Sequence, residues 1–151
     1  MVHISAIGAD AAAASVYSKT KAAGEVGVQE NMPDAVILRP SIIFGPEDQF
    51  FNRFAGMSRL GPVLPVIGAN TRFQPVYVDD VAAAAVKGVQ GEAEGGIYEL
   101  GGPDVHTFRE LMQLMLAVIR RRRLIVNTPF WIALIMATAF VIGRALTLGL
   151  V

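Results

Sequence analysis

Tyr17 and Lys21 stand four positions apart, and residues at that spacing on an α-helix share one face with about 5–6 Å between their Cβ atoms. An ammonium beside a phenol favours the ionised oxygen. Such a pair can exchange a proton with a hydroxyl or carbonyl of a substrate while a nicotinamide ring exchanges the hydride, and the lysine can also hold sugar hydroxyls. Ser5 offers a further hydroxyl at the end of an apolar strand, although a strand-end serine serves equally well by bonding backbone. Tyrosine and lysine at this spacing are also common on solvated helix faces, so the surrounding elements decide between chemistry and coincidence.

Val2 to Ser5 reads as a short strand and Gly8 to Ala14 as a loop of small residues. From Ser15 to about Glu30 the apolar spacing is helical, and Pro33-Asp34 breaks it. Ala35 to Leu38 is a continuous apolar strand of the kind covered on both faces in a parallel sheet, ended by Arg39-Pro40. Phe44-Gly45-Pro46 turns the chain, with Gly45 expected at positive φ. Asp48 to Leu60 reads as a helix, Gly61 to Asn70 as irregular, and Phe73 to Val78 as a strand. Asp79 or Asp80 is expected to cap a helix from Val81 to Val89. A strand at Ile97 to Leu100 leads to a turn at Gly101-Gly102-Pro103. Thr107 and Glu110 have the spacing of a capping box, opening a helix with Leu111, Leu114, Met115 and Val118 on one face. Strands alternating with helices predict an α/β fold.

The 151 residues have room for one domain, and thirteen basic residues balance thirteen acidic ones. That balance argues against nucleic acid as a partner. No cysteine is present, and His3 and His106 are the only histidines. Thiol chemistry and a histidine-rich metal centre are therefore excluded, and no metal site is expected. Met1 opens directly onto a strand and the apolar run stops at Val151, so both ends are expected to be cut. Arg120 to Arg123 precede twenty uncharged residues, Leu124 to Gly143. That run has the length of a membrane span, but Asn127-Thr128-Pro129 would start a helix too near Arg144. A spanning helix, a helix lying on a membrane or a membrane-bound partner, and an ordinary core helix all stay open, Trp131 and the arginines suiting an interface.

Four segments occur in a telling order: His3-Ile4-Ser5, Tyr17-x-x-x-Lys21, Val36 to Pro46, and Pro75 to Ala82. Together they resemble the carboxy-terminal half of the extended short-chain dehydrogenase/reductase family, also called the NAD-dependent epimerase/dehydratase family. The resemblance covers Val2 to about Val89. His3 to Ala6, Tyr17 to Glu25, Arg39 to Asn52, Phe54 to Met57, Gly61-Pro62 and Gln74 to Val78 are similar to one branch of it. That branch is the dehydrogenase-like accessory subunits of respiratory complex I, NADH:ubiquinone oxidoreductase, in which the nucleotide is taken as structural.

The resemblance implies the carboxy-terminal half of a Rossmann-type doubly wound parallel sheet over 1–100, with 41–72 contributing to the substrate-side lobe. A helical carboxy-terminal segment over 101–151 would follow. It assigns Tyr17 and Lys21 as the catalytic and ribose-binding pair, with Ser5 as a weak catalytic stand-in. Arg39 and Pro40 would lie beside the nicotinamide, and Ser41 would line the same pocket. The implied cofactor is NADP or NAD, with NADPH favoured. Implied partners are the complex I subunits near the quinone module, with the membrane surface reached through 129–151. The implied location is peripheral, on the cytoplasmic face of a bacterial inner membrane or the matrix face in mitochondria. Two departures matter. The slot for the family's catalytic serine or threonine falls on Ala6, and no two glycines stand one residue apart, so the glycine-rich phosphate loop is missing. A chain without that loop is expected to bind nicotinamide nucleotides poorly on its own and to aggregate through a bare sheet edge. An active epimerase, dehydratase or reductase on a sugar nucleotide or sterol-like hydroxyl or ketone is the alternative function. A free membrane-surface assembly factor is a third.

Overall fold

The computed structural model describes residues 1–129. Their elements run β1 (Val2–Ile4), α1 (Val16–Asn31), β2 (Val36–Pro40), β3 (Ile43–Phe44), α2 (Gln49–Met57), β4 (Val63–Val66) and β5 (Arg72–Phe73). They continue with β6 (Val76–Tyr77), α3 (Val78–Gln90), β7 (Gly96–Leu100), β8 (His106–Thr107), α4 (Phe108–Val118) and β9 (Leu124–Asn127). The chain divides into two compact units, Met1–Phe50 with Phe73–Val105, and Phe51–Arg72 with His106–Val151.

The first unit is built on a parallel sheet of order β1-β2-β7, with Val2 opposite Val36 and Val36 opposite Gly96. Parallel neighbours cannot be joined by a tight turn, so a helix must cross over between them; α1 does so from β1 to β2. Val36, Ile37 and Leu38 of the central strand are buried, as an unbroken β-branched and aliphatic run requires when both faces are covered. Helix α3 packs against this sheet at Gly88, where an added Cβ would lie 2.7 Å from Val2 Cγ2 and 3.3 Å from Val36 Cγ1. The helix ends on Gly91, left-handed at φ 79°.

Several expectations change here. Helix α3 begins at Val78 with Tyr77 as N-cap, so Asp79 and Asp80 occupy its first turn rather than cap it. Carboxylates there still oppose the positive end of the helix dipole. Gly45 is not among the positive-φ glycines; it is small because Val78 Cγ1 would stand 2.7 Å from its Cβ. The strand expected over Phe73 to Val78 is interrupted at Gln74-Pro75. There the Gln74 amide donates to the Gly102 carbonyl at 2.6 Å, and Gly102 packs directly on the Pro75 carbonyl.

In the second unit β4 pairs in parallel with β9, Val63 opposite Leu124. Neither strand was expected. Pro65 and the flanking glycines disguise β4, yet its burial alternates strictly, with Leu64 and Val66 inward. Leu124 N–H and Thr128 N–H donate to the carbonyls of Pro62 and Val66. The ladder therefore falls on the even-numbered residues, where a missing N–H at Pro65 does no harm. Leu64, Val66, Phe108, Leu111, Met112, Met115 and Leu116 form the core of this unit. Of the four residues expected on one face of α4, Leu111 and Met115 are buried, whereas Leu114 and Val118 are exposed.

The expected capping box is present. Thr107 Oγ1 accepts from Glu110 N–H at 3.2 Å, and the Glu110 carboxylate accepts from Thr107 N–H at 2.7 Å. The Thr107 N–H first, and then the Thr107 hydroxyl, which donates to the same carboxylate at 2.9 Å, hold the Glu110 carboxyl below its ordinary pKa. Among the described residues no helix is long and apolar enough to cross a membrane. The expectations for 130–151, including Trp131 and the helix beyond Pro129, lie outside the described residues.

Candidate functional site

The carboxyl end of β1, the carboxyl end of β2 and the first turns of α1 converge within the first unit. Tyr17 and Lys21 share a face of α1, with Lys21 Nζ 5.8 Å from the Tyr17 ring centroid. The same ammonium donates to the Ile4 carbonyl at 3.3 Å, which holds the lysine against the end of β1. Tyr17 is 59% exposed, so the phenol stands open to a bound molecule. The spacing argument is met, and the helix surrounding the pair is continuous from Val16 to Asn31.

Ser5 sits directly after β1, is 3% exposed, and donates its hydroxyl hydrogen to Glu25 Oε1 of α1. A hydroxyl so engaged has no hydrogen left to give to a substrate carbonyl. Arg39 Nη2 and Nε reach the two oxygens of the same carboxylate at 2.6 and 2.9 Å, and Arg39 Nη1 lies 3.6 Å from Glu99. The guanidinium beside Glu25 holds its carboxyl below the ordinary range. Burial opposes that shift and the Ser5 hydroxyl assists it. Reciprocally, Glu25 raises Arg39 above its ordinary value. The Arg39 side chain is thus occupied by carboxylates of the protein itself.

Pro40 is buried and its carbonyl accepts from Ile7 N–H at 3.0 Å, while Ser41 N–H donates to the Leu100 carbonyl at 2.8 Å. Pro40 is the last paired residue of β2 and Ser41 continues the pairing one residue beyond it, leaving the half-exposed Ser41 side chain at the strand end. Glu25 is the participant that the sequence reasoning missed. Its position four residues after Lys21 puts it on the same helix face, which is the one signal that could have found it. A cavity of about 450 Å³ opens farther along, lined by Ile43, Gly45, Pro46, Glu47, Asp48, Gln49 and Val78. No motif announced it.

Comparison with known proteins gives this arrangement a lineage. The profile of the RmlD substrate binding domain matches residues 9–129. Subunit 9 of the NADH dehydrogenase [ubiquinone] 1 alpha subcomplex of Arabidopsis thaliana, a mitochondrial protein, is 42% identical over 139 residues, covering 90% of this chain and 35% of its own length. The Dictyostelium discoideum protein of the same name is 31% identical over 116 residues, covering 76% of this chain and 33% of its own. The chain thus spans about a third of the length of these relatives. A dTDP-4-dehydrorhamnose reductase from Bacillus anthracis, solved in complex with NADP, superposes with a TM-score of 0.72 at 18% identity, covering 85% of this chain and 50% of that one. At that identity the likeness speaks for the fold, a Rossmann-type α/β arrangement. With parallel strands, crossover helices and the profile match agreeing, the chain belongs to the family of the RmlD substrate binding domain and has a Rossmann-type α/β fold.

Proposed function

We propose that this chain is part of a dehydrogenase-like accessory subunit of respiratory complex I, binding a nicotinamide dinucleotide that stabilises the fold and is not turned over. The observation that carries the reading is the diversion of Ser5. Its hydroxyl is buried and given to Glu25, and the next position is Ala6, so neither of these two positions gives Tyr17 a second proton donor for carbonyl chemistry. The similarity to the Arabidopsis and Dictyostelium subunits supports the same conclusion.

The residues present fit one end of a dinucleotide. Tyr17 and Lys21 stand on an open face beside the carboxyl ends of β1 and β2, where parallel α/β sheets take their ligands. Lys21 would hold ribose hydroxyls, Tyr17 would bound the nicotinamide, and Ser41 with the Pro40 backbone would flank it. When bound, such a group supplies hydride chemistry; here its binding energy instead adds to the stability of the folded state. The pyrophosphate would need a glycine-rich turn that these residues do not contain. NADPH is the form proposed. The partners proposed are subunits by the quinone module, with a peripheral place at the membrane surface, on the cytoplasmic face in bacteria or the matrix face in mitochondria.

Native gels test this. The tagged chain should migrate with NADH:quinone oxidoreductase activity, and Tyr17→Phe should leave both the bound nucleotide and that activity in place. A second reading, a working reductase or epimerase on a hydroxyl or ketone, is favoured by the intact Tyr17–Lys21 pair. It requires Tyr17→Phe to abolish turnover in a protein that migrates apart from the complex.

A further inference from the structure

Helix α1 carries the candidate pair, yet it gives the sheet almost no apolar anchor. Of its 16 residues only Glu25 is buried, while Val16, Tyr17 and Val26 are each more than half exposed. A surface helix is ordinarily located by an apolar stripe; α1 is located by a carboxylate. Two consecutive residues at the end of β1 grip two residues one turn apart on α1. The Ile4 carbonyl takes the Lys21 ammonium, and the Ser5 hydroxyl donates to Glu25. Arg39 on β2 closes the far side of the same carboxylate with two hydrogen bonds. A planar guanidinium against a planar carboxylate fixes orientation as well as distance, which a methyl-to-methyl contact does not.

We infer that Ser5, Glu25 and Arg39 are positioning residues that set the rotation of α1 on the sheet and so aim Tyr17 and Lys21 at the dinucleotide. The inference rests on reading that pair as a nucleotide site. Glu25 follows Lys21 by one helical turn and Tyr17 by about two, so a rotation released at Glu25 is carried directly to both. The phenol and the ammonium both lie at the ends of long side chains, so a small rotation displaces each appreciably. The role differs from simple stabilisation, because a buried ion pair can often be exchanged for apolar side chains with little loss of stability, while its geometric constraint goes with it.

The test uses the full-length protein in its native assembly, with NADPH as the probe. Retained dinucleotide per chain and the affinity for added NADPH are measured for Lys21→Ala, Glu25→Gln, Ser5→Ala, Ser5→Thr and a control, Gly88→Ala, in the same unit but outside the clamp. Glu25→Gln and Ser5→Ala should each weaken NADPH binding at least tenfold, Ser5→Thr should restore it, and the control should bind normally at a comparable loss of melting temperature. Should Lys21→Ala keep its nucleotide, the site reading itself fails. Loss in Lys21→Ala with normal binding in Glu25→Gln and Ser5→Ala would overturn the positioning role alone. So would equal loss in the control, since any destabilisation would then suffice.

Discussion

Alanine at Gly27 should stabilise the first unit and alanine at Gly88 should not, although both replace a glycine inside a helix. The change is favourable by about 1 kcal/mol in a helix interior that can accept a methyl, because it removes backbone freedom from the unfolded chain. At Gly27 a Cβ would meet nothing within 4 Å, so most of that gain should appear. At Gly88 it would stand 2.7 Å from Val2 Cγ2 and 3.3 Å from Val36 Cγ1. Both neighbours are β-branched, with few rotamers into which to withdraw, and Val36 is 3% exposed. Overpacking of this kind costs about 1–3 kcal/mol, which outweighs or cancels the propensity gain. The two variants should therefore differ by about 1–3 kcal/mol, or roughly 2–12 °C in melting temperature at about 2–4 °C per kcal/mol for a chain of this size. Far-UV circular dichroism melts of the whole protein, with Gly27→Ala above wild type and Gly88→Ala at or below it, are the expected record. Equal melting temperatures for the two would refute the close approach of α3 to β1 and β2.

Gly102→Ala should be harsher, costing about 3 kcal/mol by urea titration, because its Cβ would fall 1.9 Å from the Pro75 carbonyl oxygen, a backbone atom that cannot rotate away. Thr107→Ala removes the N-cap acceptor of α4 and should cost about 1 kcal/mol, whereas Thr107→Ser should keep most of it. Acid titration should reveal Glu25. Its folded pKa is depressed below 4.5, so its contribution is complete above 4.5 and is lost as pH falls through the lower, folded value. The stability difference between wild type and Glu25→Gln should accordingly be full near neutrality and vanish in strong acid; a difference that grew on acidification would contradict the assignment.

The features legible in the sequence are those set by local period. Tyr17 and Lys21 share a face because both obey one helix. Val36 to Leu38 announces a covered parallel strand by its unbroken apolar run, and Thr107 with Glu110 is a cap written within four residues. What was not legible depends on partners distant in the chain. Glu25 reads as an ordinary solvated helix residue until Ser5 and Arg39, on different strands, are brought to it. Strand β4 hides behind Pro65, and β9 within an apolar run that resembles a helix; each is a strand because it pairs with the other. Gly45 was expected to serve a left-handed turn and does not; steric room beside Val78 is what its missing side chain provides.

The pairing of β4 with β9 also orders events during synthesis. Leu64 and Val66, two of the most deeply buried side chains, emerge from the ribosome long before the Leu124–Asn127 stretch that lies alongside them. Until that stretch arrives, the carbonyls of Pro62 and Val66 have no ladder to join, and joining over so long an interval is slow. The nascent chain therefore passes through an interval with a sticky, half-built strand on view, which is the period in which a chaperone or an assembling partner would have the most to grasp.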